Sequence, residues 1–323
     1  QRKKNPADFV LWKGGEAEGA TWESPFGRGR PGWHIECSAM AMKHLGETFD
    51  LHGGGLDLVF PHHENEIAQS EAATGVAYSK CWMHNGFVEV DSEKMAKSKG
   101  NFFTARDLFE RVEPEAIRFF VMGVHYRAPL NLDFTLDESG KAVAFPQLDE
   151  AERRLEYLYK TKERLRTLPE ARIVPVPEAP MPPAIAGLPK GLARALDDDL
   201  NMPIALASIA EFLSAVNELC DVALRKKGKA PSAIHEAALR GFEAIEAELG
   251  VGGQDGAALL TRIRDRRAKS RGITPAFVEE KIAARTSARA NKDFAAADAV
   301  RDELAALGVE MHDSPDGTTW SIH

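Results

Sequence analysis

Metal-binding residue types cluster in two short stretches of this sequence, Gly32-Trp33-His34-Ile35-Glu36-Cys37 and Phe60-Pro61-His62-His63-Glu64-Asn65-Glu66. His62 and Glu66 are four residues apart, so on a helix they share one face and can hold one ion. Cys37 would have to approach from a separate segment. Thiolate, imidazole and carboxylate are all zinc donors, and three protein ligands with an open position is the catalytic pattern. The His-Glu-x-x-His arrangement of metalloproteases is excluded, because its second histidine is missing. Spacing alone also allows a plainer arrangement, in which His62 caps a helix, His63 packs and the acids are solvated.

The elements that must position these residues can be read from their surroundings. Asp50 to Gly55 reads as a strand end running into a glycine loop, and Glu64 to Ala73 as a helix starting just after Pro61. Phe87-Val88-Glu89-Val90 alternates as a strand does. The mixture predicts an α/β domain, or the last part of one. From Thr104 the pattern turns helical, with Thr104 as a cap, Pro114 opening the next helix, and a longer helix from Phe145 to about Leu168. Seven of the 18 prolines then fall between 169 and 189, which predicts an extended linker. Residues 190–249 read as amphipathic helices, such as Ile204 to Leu219. A glycine-rich break at 250–256 leads to basic helices, and Ser314-Pro315-Asp316-Gly317 is a turn signal between two short strands.

At 323 residues the chain is long enough for two or three domains. A hydrophobic share of 44% and a charged share of 28% are ordinary for a globular protein. No run approaches the roughly 18 apolar residues needed to span a bilayer, and no signal peptide opens the chain. Three distant cysteines, Cys37, Cys81 and Cys220, cannot all pair, which points to a reducing compartment, the cytoplasm. The net charge of −8 argues weakly against nucleic acid, yet residues 258–292 carry ten Lys or Arg against three Asp or Glu. It is such a local basic face that meets phosphate. The chain opens on Gln1 and runs straight into a structured-looking segment, and it reads as a fragment or processed piece.

Pro31 to Met40, Asp50 to Gly55 and Phe60 to Glu66 together are close to the wording of cysteinyl-tRNA synthetases, and the similarity runs from Asn5 to Trp320. The resemblance implies the last part of a Rossmann-like class I synthetase catalytic domain over 1–103. It also implies a helical connector over 104–168, the proline-rich linker at 169–189, a helical bundle on the anticodon side at 190–249, and a C-terminal anticodon-binding region at 258–323. It makes Cys37, His62 and Glu66 three ligands of one zinc ion, the fourth being a cysteine in sequence this chain does not contain. Such an ion separates cysteine from serine by taking a thiolate in preference to a hydroxyl, a distinction an apolar pocket makes poorly. Trp33 and His52 match residues of the substrate pocket, although either could equally be a core residue.

Glu93 to Asn101, with Lys94, Met95, Ala96, Lys97 and Ser98, resembles the Lys-Met-Ser-Lys-Ser loop of class I synthetases, with Ala96 in place of serine. Activation of an amino acid with ATP and Mg2+ expels pyrophosphate, and lysine ammonium groups on a closing loop suit that leaving group. The main role falls to Lys97 and a supporting one to Lys94. The nucleotide's base and ribose are expected near His52, Gly53, Gly54, Gly55 and Asp57, where absent side chains permit close approach.

In the C-terminal stretch, Arg289, Phe294 and Asp298 match the family's anticodon-reading positions, with Phe294 where tryptophan is frequent. An aromatic face can stack on an unpaired base, and Arg and Asp can read base edges. A plain helical surface with Phe294 buried is the bland alternative. The basic stretch Arg262 to Arg271 is expected to serve the phosphate backbone. The resemblance therefore implies a cysteine–tRNA ligase with tRNA-Cys, cysteine and ATP as partners, acting as a monomer. A cysteine ligase of mycothiol biosynthesis would share the pocket but lack residues 258–323. A non-catalytic tRNA-binding fragment is the other rival, since no His-Ile-Gly-His type tetrapeptide occurs here. Residues 1–323 alone are accordingly expected to show no cysteine activation.

Overall fold

The computed structural model describes residues 3–15, 19–90, 93–95, 102–138, 142–314 and 317–322. It divides into two compact units, residues 1–100 with 124–132, and residues 101–123 with 133–323.

The first unit opens with the antiparallel pair β1 (Trp12–Gly14) and β2 (Gly29–Pro31). Helix α1 (Trp33–Leu45) follows at once. Gly32 sits at this junction because its neighbour leaves no room: a Cβ there would lie 1.9 Å from the Val10 carbonyl oxygen. The centre is a βαβ unit: β3 (Phe49–Gly55), α2 (Glu64–Thr74) and β4 (Ser79–Asn85). The two strands run parallel with Phe49 opposite Ser79 and Gly55 opposite Asn85, which is why a crossover helix must join them. Gly53, Gly54 and Gly55 were expected in a loop and instead belong to β3. A side chain at Gly54 would come within 2.7 Å of the His63 ring, so close packing, and not a turn, requires glycine there. Strand β5 (Val88–Val90) pairs antiparallel with β6 (Glu93–Lys94) and parallel with β7 (Leu130–Asn131), so the chain returns to this unit in the middle of the expected helical connector.

The second unit is mostly helical. Thr104 and Asp107 cap α3 (Ala105–Phe109) reciprocally, and Pro114 opens α4 (Pro114–Val121). A small antiparallel pair, β8 (Thr135–Leu136) and β9 (Ala142–Ala144), precedes α5 (Pro146–Arg166). On α5, Leu148, Leu155 and Leu158 lie near one face and are all fully buried. A short strand, β10 (Ile173–Val174), comes next. Not all of the proline-rich stretch is extended, because α6 (Pro183–Asp197) starts inside it and contains Pro189. Pro183 sits at the first helical position, where the missing N–H costs nothing. Around Pro189 the burial of Ile185, Leu188 and Leu192 holds the helix together.

Helix α7 (Met202–Leu224) is long and apolar enough, by length and composition, to cross a membrane, which corrects the expectation of no such run. Its Ala205, Ile209, Phe212, Val216, Cys220 and Ala223 recur at helical spacing and are buried in the bundle with α5 and α6. After β11 (Ala230–Pro231), which pairs with β10, come α8 (Ser232–Leu249) and α9 (Gly256–Ser270). The C-terminal part pairs α10 (Pro275–Ala290) with α11 (Phe294–Ala306) and ends in the hairpin β12 (Val309–Ser314) and β13 (Gly317–Ile322). Its core joins Ala268, Val278, Leu304, Val309, Trp320 and Ile322.

Candidate functional site

In the first unit, α1 brings Cys37, and the start of α2 with the irregular turn before it brings His62 and Glu66. One donor atom from each lies within 4.8 Å of the other two. Glu66 is fully buried, and neither carboxylate oxygen accepts a hydrogen bond of ordinary geometry. Its oxygens instead face imidazoles, Oε2 at 2.9 Å from His52 Nε2 and Oε1 at 3.4 Å from His62 Nε2. A buried carboxylate approached only by a thiol and two imidazoles, all three of them metal-binding groups, is a donor set that fits zinc. His52, His63 and Glu66 form a second close group of the same kind.

Electrostatics tell the same story. Burial pushes the Glu66 carboxyl up to about 7, against the lowering influence of Cys37. Burial, then the nearby Glu66 charge, raises the Cys37 thiol. Burial also lowers His34, His52 and His62, and takes His63 down to about 4 with help from His52, His84 and His62. Neutral imidazoles are the form that binds a metal.

Two histidine–histidine contacts that the sequence did not foretell order this cluster. His34 Nδ1 lies 2.8 Å from His62 Nδ1, which leaves His62 Nε2 to face Glu66. His63 Nδ1 lies 2.8 Å from His84 Nε2. The only sequence signal was the richness of this stretch in histidine, because no spacing rule joins position 34 to 62 or 63 to 84. Trp33 is more than half exposed and stacks on His62 with ring centroids 4.5 Å apart. It is therefore a wall of an open site and not a core residue. His52 points at Glu66, so its first duty lies at this cluster. Asp57 sits in the 3-10 turn Leu56–Leu58. Lys94 is in β6 but its side chain, like all of Ala96, Lys97 and Ser98, lies outside the described residues.

In the second unit, Arg289 near the end of α10 binds Asp313 at 2.9 Å. Arg285 binds the same carboxylate through both of its terminal nitrogens at 2.8 Å. Hydrogen bonds from Arg285 and Thr318 hold Asp313 far below the usual carboxylate range. Asp313, which sequence reasoning also missed, thus anchors two arginines from the adjoining hairpin. Phe294 is 63% exposed at the first position of α11, which rules out the buried alternative. Asp298 lies one turn on and pairs with Arg301 at 3.1 Å.

The basic stretch at Arg262 to Arg271 is a correction. Arg262 and Arg266 bind Glu113 at 2.9 Å each, Arg266 also grips Glu152, and Arg267 bridges Glu152 and Glu156 at 3.2 and 2.8 Å. Arg264 lies over the Trp320 ring at 4.3 Å. Glu113, Glu152 and Glu156 are buried, so three of these arginines are consumed in neutralising internal carboxylates and are not offered to phosphate.

Comparison with known proteins follows this geometry. Residues 1–141 match the tRNA synthetases class I (C) catalytic domain, and residues 274–320 the cysteinyl-tRNA ligase anticodon binding domain. The whole chain is 48% identical over 330 residues to a cysteine–tRNA ligase of Anaeromyxobacter dehalogenans (strain 2CP-1), and 44% over 326 residues to one of Nitratidesulfovibrio vulgaris. In each case it spans 64% of the relative's length. Among solved structures, the LeuRS-tRNA-LeuAMS ternary complex of Agrobacterium radiobacter K84 aligns with 74% of this chain and 34% of its own, at TM-score 0.48 and 15% identity. With two family domains matched and close relatives along its entire length, the chain belongs to the cysteinyl-tRNA synthetase family.

Proposed function

We propose that the protein carrying this chain is a cysteine–tRNA ligase, which activates cysteine with ATP and transfers it to tRNA-Cys in the cytoplasm. The observation that carries this reading is the meeting of Cys37, His62 and Glu66 beneath the exposed face of Trp33. Zinc, when bound by these three residues, supplies a Lewis acid that prefers sulphur to oxygen. The remaining work is done by the chain. Glu66 brings negative charge to offset the cation, and His34 fixes which nitrogen His62 presents. Trp33 screens one side of the site from water. Lys94 and Lys97 are assigned to the leaving pyrophosphate by resemblance.

On the tRNA side, Arg289, Phe294 and Asp298 are assigned to anticodon bases. The exposed ring of Phe294 supports stacking, and Asp313 holds Arg289 ready. The anticodon-domain match at 274–320 favours tRNA over a small glycoside acceptor. Cobalt substitution tests the metal reading directly. The 323-residue chain, loaded with Co2+ under reducing conditions, should change its visible spectrum on addition of cysteine and not of serine. Failure of the wild-type chain to take up Co2+ or Zn2+ would refute it.

A further inference from the structure

Among the described residues, seven buried side-chain atoms have no hydrogen bond of ordinary geometry, and five of them meet in one place. They are Glu66 Oε1 and Oε2, Gln69 Oε1, Ser70 Oγ and the Tyr78 hydroxyl. Glu66, Gln69 and Ser70 stand at i, i+3 and i+4, so they form one face of α2. That face looks onto α1, where Ser38, the neighbour of Cys37, is fully buried and accepts from Gln69 Nε2 at 3.1 Å. Tyr78 enters from the turn before β4, fully buried and edge-on to Phe49 at 4.9 Å. Its hydroxyl is turned toward Ser70 and Ser38, whose nearness moderates a phenol that burial pushes up to about 12.

Two packed helices ordinarily bury apolar stripes against each other. Here the described buried residues are Ser38 on α1 and Asn65, Glu66 and Ser70 on α2. Sealing polar atoms in without partners is costly, so such a face needs occupants. One metal ion answers for the Glu66 carboxylate but leaves Gln69 Oε1 without a donor, and leaves the Tyr78 and Ser70 hydroxyls with no bond of ordinary geometry beyond their loose mutual approach. Gln69 Oε1 can only accept, while the two hydroxyls can donate and accept. A buried water, with two protons and two lone pairs, completes that set.

We propose that Ser70, Tyr78 and Gln69 form a hydroxyl-lined pocket behind the metal, holding an ordered water against Glu66, and that this shell fixes the orientation in which Glu66 meets the ion. The proposal rests on the zinc reading above. Tyr78 and Ser70 are positioning residues, since they act on the metal only through Glu66.

Tyr78→Phe and Ser70→Ala in the 323-residue chain test the idea, with zinc affinity read by chelator competition and the metal-free unfolding midpoint read alongside. Tyr78→Phe should weaken zinc about tenfold or more, while the metal-free midpoint holds or rises, because the ring still fills its space. Ser70→Ala should lose affinity in the same direction. The double variant should be little weaker than the worse single one, because both hydroxyls serve one water. A purely structural hydroxyl would move the midpoint and leave zinc affinity alone. Affinity within twofold of wild type in both single variants would overturn the proposal while the zinc reading stands. A wild-type chain that binds no zinc would end both. If Tyr78→Phe does not fold, Ser70→Ala decides.

Discussion

Glu66 is the residue on which the first unit turns. In the metal-free protein its folded pKa of about 7 stands above the ordinary carboxyl value, so the folded state holds a proton that the unfolded state releases. Stability should therefore fall as pH rises from about 4.5 to about 7, by on the order of 2–3 kcal/mol. Saturating zinc should remove this slope, because a cation then stabilises the ionised form. Unfolding midpoints at pH 5 and pH 7.5, with chelator and with zinc, measure both halves of the prediction. Glu66→Gln should flatten the metal-free profile and abolish tight zinc binding together. The candidate metal ligands were legible as residue types because His62 and Glu66 have helical spacing. Their supporting cast was not. His34, His84 and Tyr78 reach the site through the packing of α1 on α2 and of β4 beside β3, and that proximity has no local signature.

Helix α9 shows where reading an element by its composition fails. A run of arginines looks the same in sequence whether it faces phosphate or a buried carboxylate, and only the partners, Glu113 capping α4 and Glu152 and Glu156 on α5, separate the two cases. Arg266→Met should destabilise the second unit by about 3 kcal/mol, because it strands Glu113 and Glu152 in the interior. Urea unfolding checks the size of the loss, and a matching loss at Arg266→Lys would show that the forked geometry matters as well as the charge. Strand β3 gives a second case. A triple glycine suggests a loop, yet the hydrogen-bonded register with β4 runs through all three. Gly54→Ala should push the His63 ring away from its place and weaken metal binding, with little effect at Gly53, where the nearest atom to a Cβ would be 3.7 Å away. The long helix α5, by contrast, was plain from periodicity, and the starts of the short helices α3 and α4 from Thr104 and Pro114.

Across the whole chain the two chemistries are segregated. The candidate metal ligands lie in residues 37–66 and the base-reading candidates in 289–298, in different compact units. Replacing Cys37 with alanine should therefore remove zinc and leave tRNA-Cys affinity of the same chain within about twofold. Phe294→Ala should cost about 1–3 kcal/mol of tRNA binding, the usual worth of one base–aromatic stack, and leave zinc content unchanged. Metal analysis and a filter-binding titration on both variants check the separation. Its order along the chain was visible in the sequence through family resemblance. The return of residues 124–132 to the first unit was not, since β7 is only two residues long and carries no period.

The β3–β4 pair has a practical corollary. Parallel strands are normally enclosed on both sides, yet among the described residues neither outer edge of this ribbon is paired, and Leu51 at its centre is 54% exposed. A backbone left with open amides and carbonyls beside bare aliphatic surface is a template for other chains. Handled by itself at high concentration, this polypeptide should self-associate in sedimentation runs, and a lysine at position 51 should keep it dispersed.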